Sequence, residues 1–103
     1  MTDYLLHLHP RVEDDVTAAA GYYADIDPDL ADRFADDLTE TLALVKRHPL
    51  IGPHLDGRLR HRVLEVFPYL VLFAVTGEHV HVVSVEHVKG DPEGILRRAH
   101  RRL

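Results

Sequence analysis

The sequence predicts an α+β fold: one strand, a two-helix antiparallel hairpin, then a three-stranded antiparallel meander, with the helices packed on one sheet face. Three observations predict it. Apolar residues recur at helical spacing across 11–48, β-branched and aromatic residues dominate 58–88, and Pro- and Gly-containing turn signals separate these stretches. The chain has 103 residues, 46% hydrophobic and 28% charged, so it is expected to fold as a single domain over 1–103.

The first strand is Tyr4-Leu5-Leu6-His7-Leu8-His9, apolar with histidines alternating in. Pro10 lacks the donor that a ladder needs, so the strand ends near residue 9. From Arg11 onward Val12, Val16, Ala19, Ala20 and Tyr23 form a helical stripe. Glu13, Asp14 and Asp15 occupy its first turn, where the helix dipole favours anions. Asp27 before Pro28 resembles a helix cap followed by proline at the first helical position. A second helix over 28–48 follows, with Leu30, Phe34, Leu38, Leu42 and Val45 on one face and acidic residues on the other. Lys46-Arg47-His48 suit its C-terminus and Pro49 stops it. The short link makes an antiparallel hairpin of the two helices.

Residues 49–57 contain Pro49, Gly52, Pro53 and Gly57 and read as a loop. Arg58–Phe67, Tyr69–Thr76 and Val80–Val88 read as strands, separated by Phe67-Pro68 and Gly77-Glu78. The tail from Lys89 is a loop, then a short basic helix over 95–103 that is expected to fray. With helices on one side only, the other sheet face would stay open.

Zero cysteines exclude disulfides, thiolate chemistry and cysteine-ligated metal. No apolar run approaches the ~18 residues of a membrane span. Met1-Thr2-Asp3 opens without the order of a secretion signal, so a cytoplasmic protein with no membrane partner is expected. The net charge of −5 hides a segregation: residues 1–56 hold four Lys/Arg against twelve Asp/Glu, and 57–103 hold eight against five. A basic half of this kind can address phosphate or an acidic protein surface. G-x-G-x-x-G, G-x-x-x-x-G-K-[ST] and G-x-S-x-G are absent and the sole serine is Ser84, so nucleotide cradling and serine-nucleophile chemistry have no foothold.

Strand alternation groups Arg58, Arg60 and Arg62 on one face. Three guanidiniums are hard to bury, so that face is expected to point away from the helices, where they suit phosphate or carboxylate. His87, between Glu86 and Lys89, could serve as a general acid or base. His7 and His9 alternate on the first strand, as His79 and His81 do on the last. Should those strands be neighbours, the imidazoles would approach at a spacing that zinc or copper accepts. No H-E-x-x-H accompanies them, and neither a metal nor a cofactor is expected.

The order of elements and several local stretches resemble the RelE/ParE superfamily of type II toxin–antitoxin toxins over nearly the whole chain. The stretches are Leu8-His9-Pro10-Arg11-Val12-Glu13-Asp14-Asp15, Asp29-Leu30-Ala31-Asp32-Arg33-Phe34 and His48-Pro49-Leu50-Ile51-Gly52. Phe67-Pro68-Tyr69-Leu70-Val71-Leu72-Phe73 and His87-Val88-Lys89-Gly90-Asp91-Pro92 complete the series. The resemblance implies a small αβ toxin neutralised by a cognate antitoxin that wraps around it. Its target would be DNA gyrase in one branch, or mRNA on the ribosome in the other. In the RNA-cutting branch the catalytic residues would be Arg62, His87 and Lys89. The chain has Phe67-Pro68-Tyr69-Leu70 where many ribonuclease members carry an arginine, and its C-terminal segment lacks their tyrosine. The His-x-Lys-x-Asp-Pro ending is closer to the ParE-type branch, which acts by binding. That branch implies a binding surface drawn from Arg58, Arg60, Arg62, Tyr69, Arg97, Arg98, Arg101 and Arg102. Alternatives are a ribosome-dependent mRNA endoribonuclease or a degenerate, non-toxic member. A homodimer, or a heterotetramer with the antitoxin, is compatible with the resemblance.

Overall fold

The computed structural model describes residues 3–51 and 53–103. Met1 and Thr2 of the leading segment, and Gly52 of the loop after the second helix, lie outside the described residues. The elements run β1 (Leu5–Leu8), α1 (Val12–Ile26), α2 (Pro28–Arg47), β2 (His54–Asp56), β3 (Leu59–Val63), β4 (Tyr69–Thr76), β5 (His79–His87) and α3 (Pro92–Arg101).

A single residue joins the two long helices. Asp27 ends α1 and caps α2: its backbone is extended, its N–H donates to Tyr23 O, and its Oδ1 accepts the Asp29 N–H at 3.0 Å. Pro28 then supplies the fixed φ of the first helical position. So tight a link turns the chain back on itself, and the stripes identified on the two helices meet over the sheet. Val12, Ala19, Phe34, Leu38 and Val45 are buried with Val71, Phe73, Val80, Val82 and Val85.

The five strands lie in the order β1-β5-β4-β3-β2. β1 runs parallel to β5, and the remaining pairs are antiparallel. The meander is therefore present, with one strand more than expected. Residues 54–56, placed in a loop by their Pro and Gly neighbours, pair with β3 through a turn in which Gly57 has φ 57°. Three residues are too few to show a period of two.

β3 is shorter than expected, and the reason is a carboxylate on α2. Buried Asp37 accepts the N–H groups of Glu65, Val66 and Phe67 at 3.3, 3.0 and 2.8 Å. These donors would otherwise belong to a ladder. The segment instead curls against α2 and buries Leu64 and Phe67.

The second sheet face is covered as well, contrary to the expectation of an open face and a frayed tail. On α3, Ile95 and Ala99 pack onto Leu59, Leu72 and Val83, on the sheet side opposite the hairpin. Asp91 caps α3 by accepting the Gly94 N–H at 3.2 Å, with Pro92 in its first turn. Among the described residues no helix is long and apolar enough to cross a membrane.

Candidate functional site

A groove of about 630 Å³ runs between α1 and the ends of β4 and β5. Its α1 wall is Ala18, Tyr22 and Ile26, spaced four residues apart and therefore aligned along one helix face. Tyr22 and Ile26 are 62% and 61% exposed. The opposite wall carries Pro68, Tyr69, Val85 and His87. Large apolar side chains left in solvent along the α1 wall, facing a partly buried Tyr69 and His87, suit the apolar face of a partner segment. This stripe sits one helical step from the buried one, and the spacing alone could have shown it: Ala18, Tyr22 and Ile26 form a second i, i+4, i+8 series.

Aromatic rings fix the groove's floor. Tyr23 and Tyr69 meet edge-on at 6.1 Å, and His87 packs edge-on against Tyr69 at 5.0 Å. Burial is the main cause that pushes both phenols above their ordinary value, with repulsion from Tyr22 adding to it at Tyr23 and repulsion from Tyr23 adding to it at Tyr69. The groove's two carboxylates already hold cations. Asp15 pairs with Arg102 at 2.7 Å, and Glu86 binds Arg98 through two hydrogen bonds of 2.8 and 3.2 Å. The pair raises the Arg98 pKa, first through the hydrogen bond to Glu86.

The residues of the ribonuclease reading do not share one pocket. His87 and Lys89 are neighbours: the Lys89 N–H donates to His87 Nδ1 at 3.0 Å. That bond fixes Nδ1 as an acceptor and leaves the neutral ring's proton on Nε2, so the one nitrogen with a lone pair is already held by a backbone donor. Arg62 lies on β3, two strand spacings or about 10 Å from β5. It lines a separate shallow groove with Ile51 and Pro53.

The arginine row is also arranged differently from expectation. Arg60 pairs with Phe73 and Arg62 with Val71, whose side chains enter the hairpin-side core, so these two arginines point toward the helix side and not away from it. Burial is avoided because they stand beyond the core, where Arg60 reaches Leu50 O at 3.3 Å. Arg58 precedes the strand, after the Gly57 turn, and bonds Thr76 Oγ1 at 3.1 Å. It lines a pocket with His81 and Arg102 on the α3 side. At the C-terminus Arg98 and Arg102 are committed to Glu86 and Asp15, whereas Arg97 and Arg101 are exposed.

Comparison with known proteins gives this architecture a family. Residues 6–92 match the model described as ParE toxin of type II toxin-antitoxin system, parDE. The chain belongs to the ParE toxin family. It is 33% identical over 94 residues to Toxin ParE2 of Mycobacterium tuberculosis, in the strains CDC 1551 / Oshkosh and ATCC 25618 / H37Rv, covering 87% of each chain. Its fold resembles that of a structure entitled Chromosomal ParDE TA system from P. aeruginosa, with TM-score 0.75 and 19% identity, over 84% of this chain and 98% of that one. The expected membership of the RelE/ParE superfamily, with its strand, helical hairpin and following meander, thus stands. The chain is a ParE-type toxin of a type II toxin–antitoxin system.

Proposed function

We propose that this ParE-type chain acts in the cytoplasm by binding a protein target, DNA gyrase, without cutting RNA, and that a cognate antitoxin neutralises it by seating an apolar segment in the α1–β5 groove. The separation of Arg62 from His87 and Lys89 carries the non-enzymatic reading. Cleavage of a phosphodiester needs a base, an acid and charge stabilisation around one phosphate. Here the only base candidate of that set has Nδ1 occupied by a backbone donor, and the arginine lies in another groove. The exposed cations Arg97 and Arg101 extend from α3 and suit an acidic protein surface.

Inducible expression in a bacterial host tests both parts. Growth arrest with intact mRNA and an induced DNA-damage response is expected, relieved by co-expression of the antitoxin. Arrest with translation-dependent mRNA cuts, abolished by Arg62→Ala and His87→Ala, would favour the endoribonuclease. Absence of arrest would favour a non-toxic member.

A further inference from the structure

The parallel pairing of β1 with β5 sets His7 directly opposite His81 and Leu5 opposite His79. His79 and His81 are two residues apart and so share a face of β5. Because Val80 and Val82 enter the hairpin-side core, that face is the other one, where His7 also lies. The ring centres are 5.0 Å apart for His7 and His79, 5.1 Å for His7 and His81, and 6.1 Å for His79 and His81. Three imidazoles around a tetrahedral ion, with Zn–N of about 2.0–2.1 Å, place their ring centres about 5 Å from one another. His7 Nε2 and His79 Nδ1 already lie 2.8 Å apart, at hydrogen-bonding distance.

We infer that His7, His79 and His81 form a binding site for a divalent d-block cation of the zinc type, clamping β1 to β5. The ion would take the place of the proton between His7 and His79 and add His81 as its third nitrogen, leaving a fourth position to water. No preassembled metal cluster stands among the described residues. The His7 and His81 rings lie 18° from parallel, so at least one must turn for three nitrogens to converge. His7 and His79 are exposed, and exposed side chains change rotamer on the picosecond to nanosecond scale. His9 stays outside the trio, since its Nδ1 accepts the Arg11 N–H at 3.0 Å at the entry to α1. The Arg58 guanidinium lines the adjacent pocket and opposes a cation, which favours a moderate affinity over a tight one.

Calorimetric titration of the metal-stripped, tag-free chain with ZnCl₂ tests it. One ion per chain is expected, with affinity reduced about tenfold or more by His7→Ala and by His81→Ala. His54→Ala, in β2, is expected to bind as the unmutated chain does. Ring-nitrogen spectra of the unmutated chain supply a reading that does not depend on any variant folding: Zn²⁺ should shift three of the nine imidazoles. No saturable binding, an equal loss in His54→Ala, or shifts spread over the other histidines would overturn the site.

Discussion

Arg102, the penultimate residue, donates from Nη1 to Asp15 Oδ2 at 2.7 Å and to Val83 O at 2.9 Å. Asp15 also accepts the Val85 N–H at 3.1 Å. The pair closes a gap in the sheet. β1 ends at Leu8, beside Val82, so β5 has no strand partner on that edge from Val83 onward. Val83 is also the extra residue of a bulge, since Leu72 pairs with Ser84 and Phe73 with Val82. An ion pair with side chains only 11% and 15% exposed thus satisfies the strand edge and pins the C-terminus to α1. Removing either partner leaves the other charge poorly solvated. Arg102→Ala and Asp15→Ala are each expected to cost about 2–4 kcal/mol in urea denaturation. The double variant should cost clearly less than the sum.

Asp37 makes a second test of stability. Its carboxylate accepts three consecutive backbone N–H groups, which Ala would leave without it. Asp37→Ala is expected to lose about 2–4 kcal/mol, and Asp37→Asn less, because one amide oxygen remains to accept. Hydrogen exchange at Glu65, Val66 and Phe67 should speed up selectively in both variants.

Alkaline pH tests the aromatic floor of the groove. The folded-state values of Tyr23 and Tyr69 are raised above 10.0, chiefly by burial. The neutral phenols are therefore favoured by folding. Their stabilisation is complete below about pH 10 and is lost as pH climbs through the raised folded values. Denaturation midpoints should fall above pH 10, and Tyr69→Phe should flatten that fall. An unchanged slope in Tyr69→Phe would contradict the coupling.

The groove predicts how antitoxin binding can be separated from folding. Ala18 is exposed in the middle of the apolar α1 wall. Ala18→Arg should leave the denaturation midpoint within about 0.5 kcal/mol of the unmutated chain, as surface changes do. Pull-down with the antitoxin should nevertheless fail or weaken by about tenfold or more.

How much of this could be read from residues alone differs between elements. The helical hairpin could be read because its stripes and the Asp27-Pro28 junction act locally, through periodicity and capping. α3 was obscured because Ile95 and Ala99 sit among arginines, so its apolar face is narrow. A signal for it did exist on β4. The run Leu70-Val71-Leu72-Phe73-Ala74-Val75 is continuously apolar, the pattern of a strand covered on both faces. β2 and the early end of β3 depend on contacts distant in sequence, above all Asp37 reaching Phe67 across 30 positions. The arginines' side of the sheet followed from register: alternation groups Arg60 with Arg62 but does not say which face the hairpin covers.

Supercoiling of relaxed plasmid by purified DNA gyrase, measured with and without the purified chain, tests the proposed mode of action most directly. Inhibition is expected, retained by Arg62→Ala and His87→Ala and reversed by the antitoxin. Unimpaired supercoiling, together with ribosome-dependent mRNA cleavage that those two substitutions abolish, would contradict it.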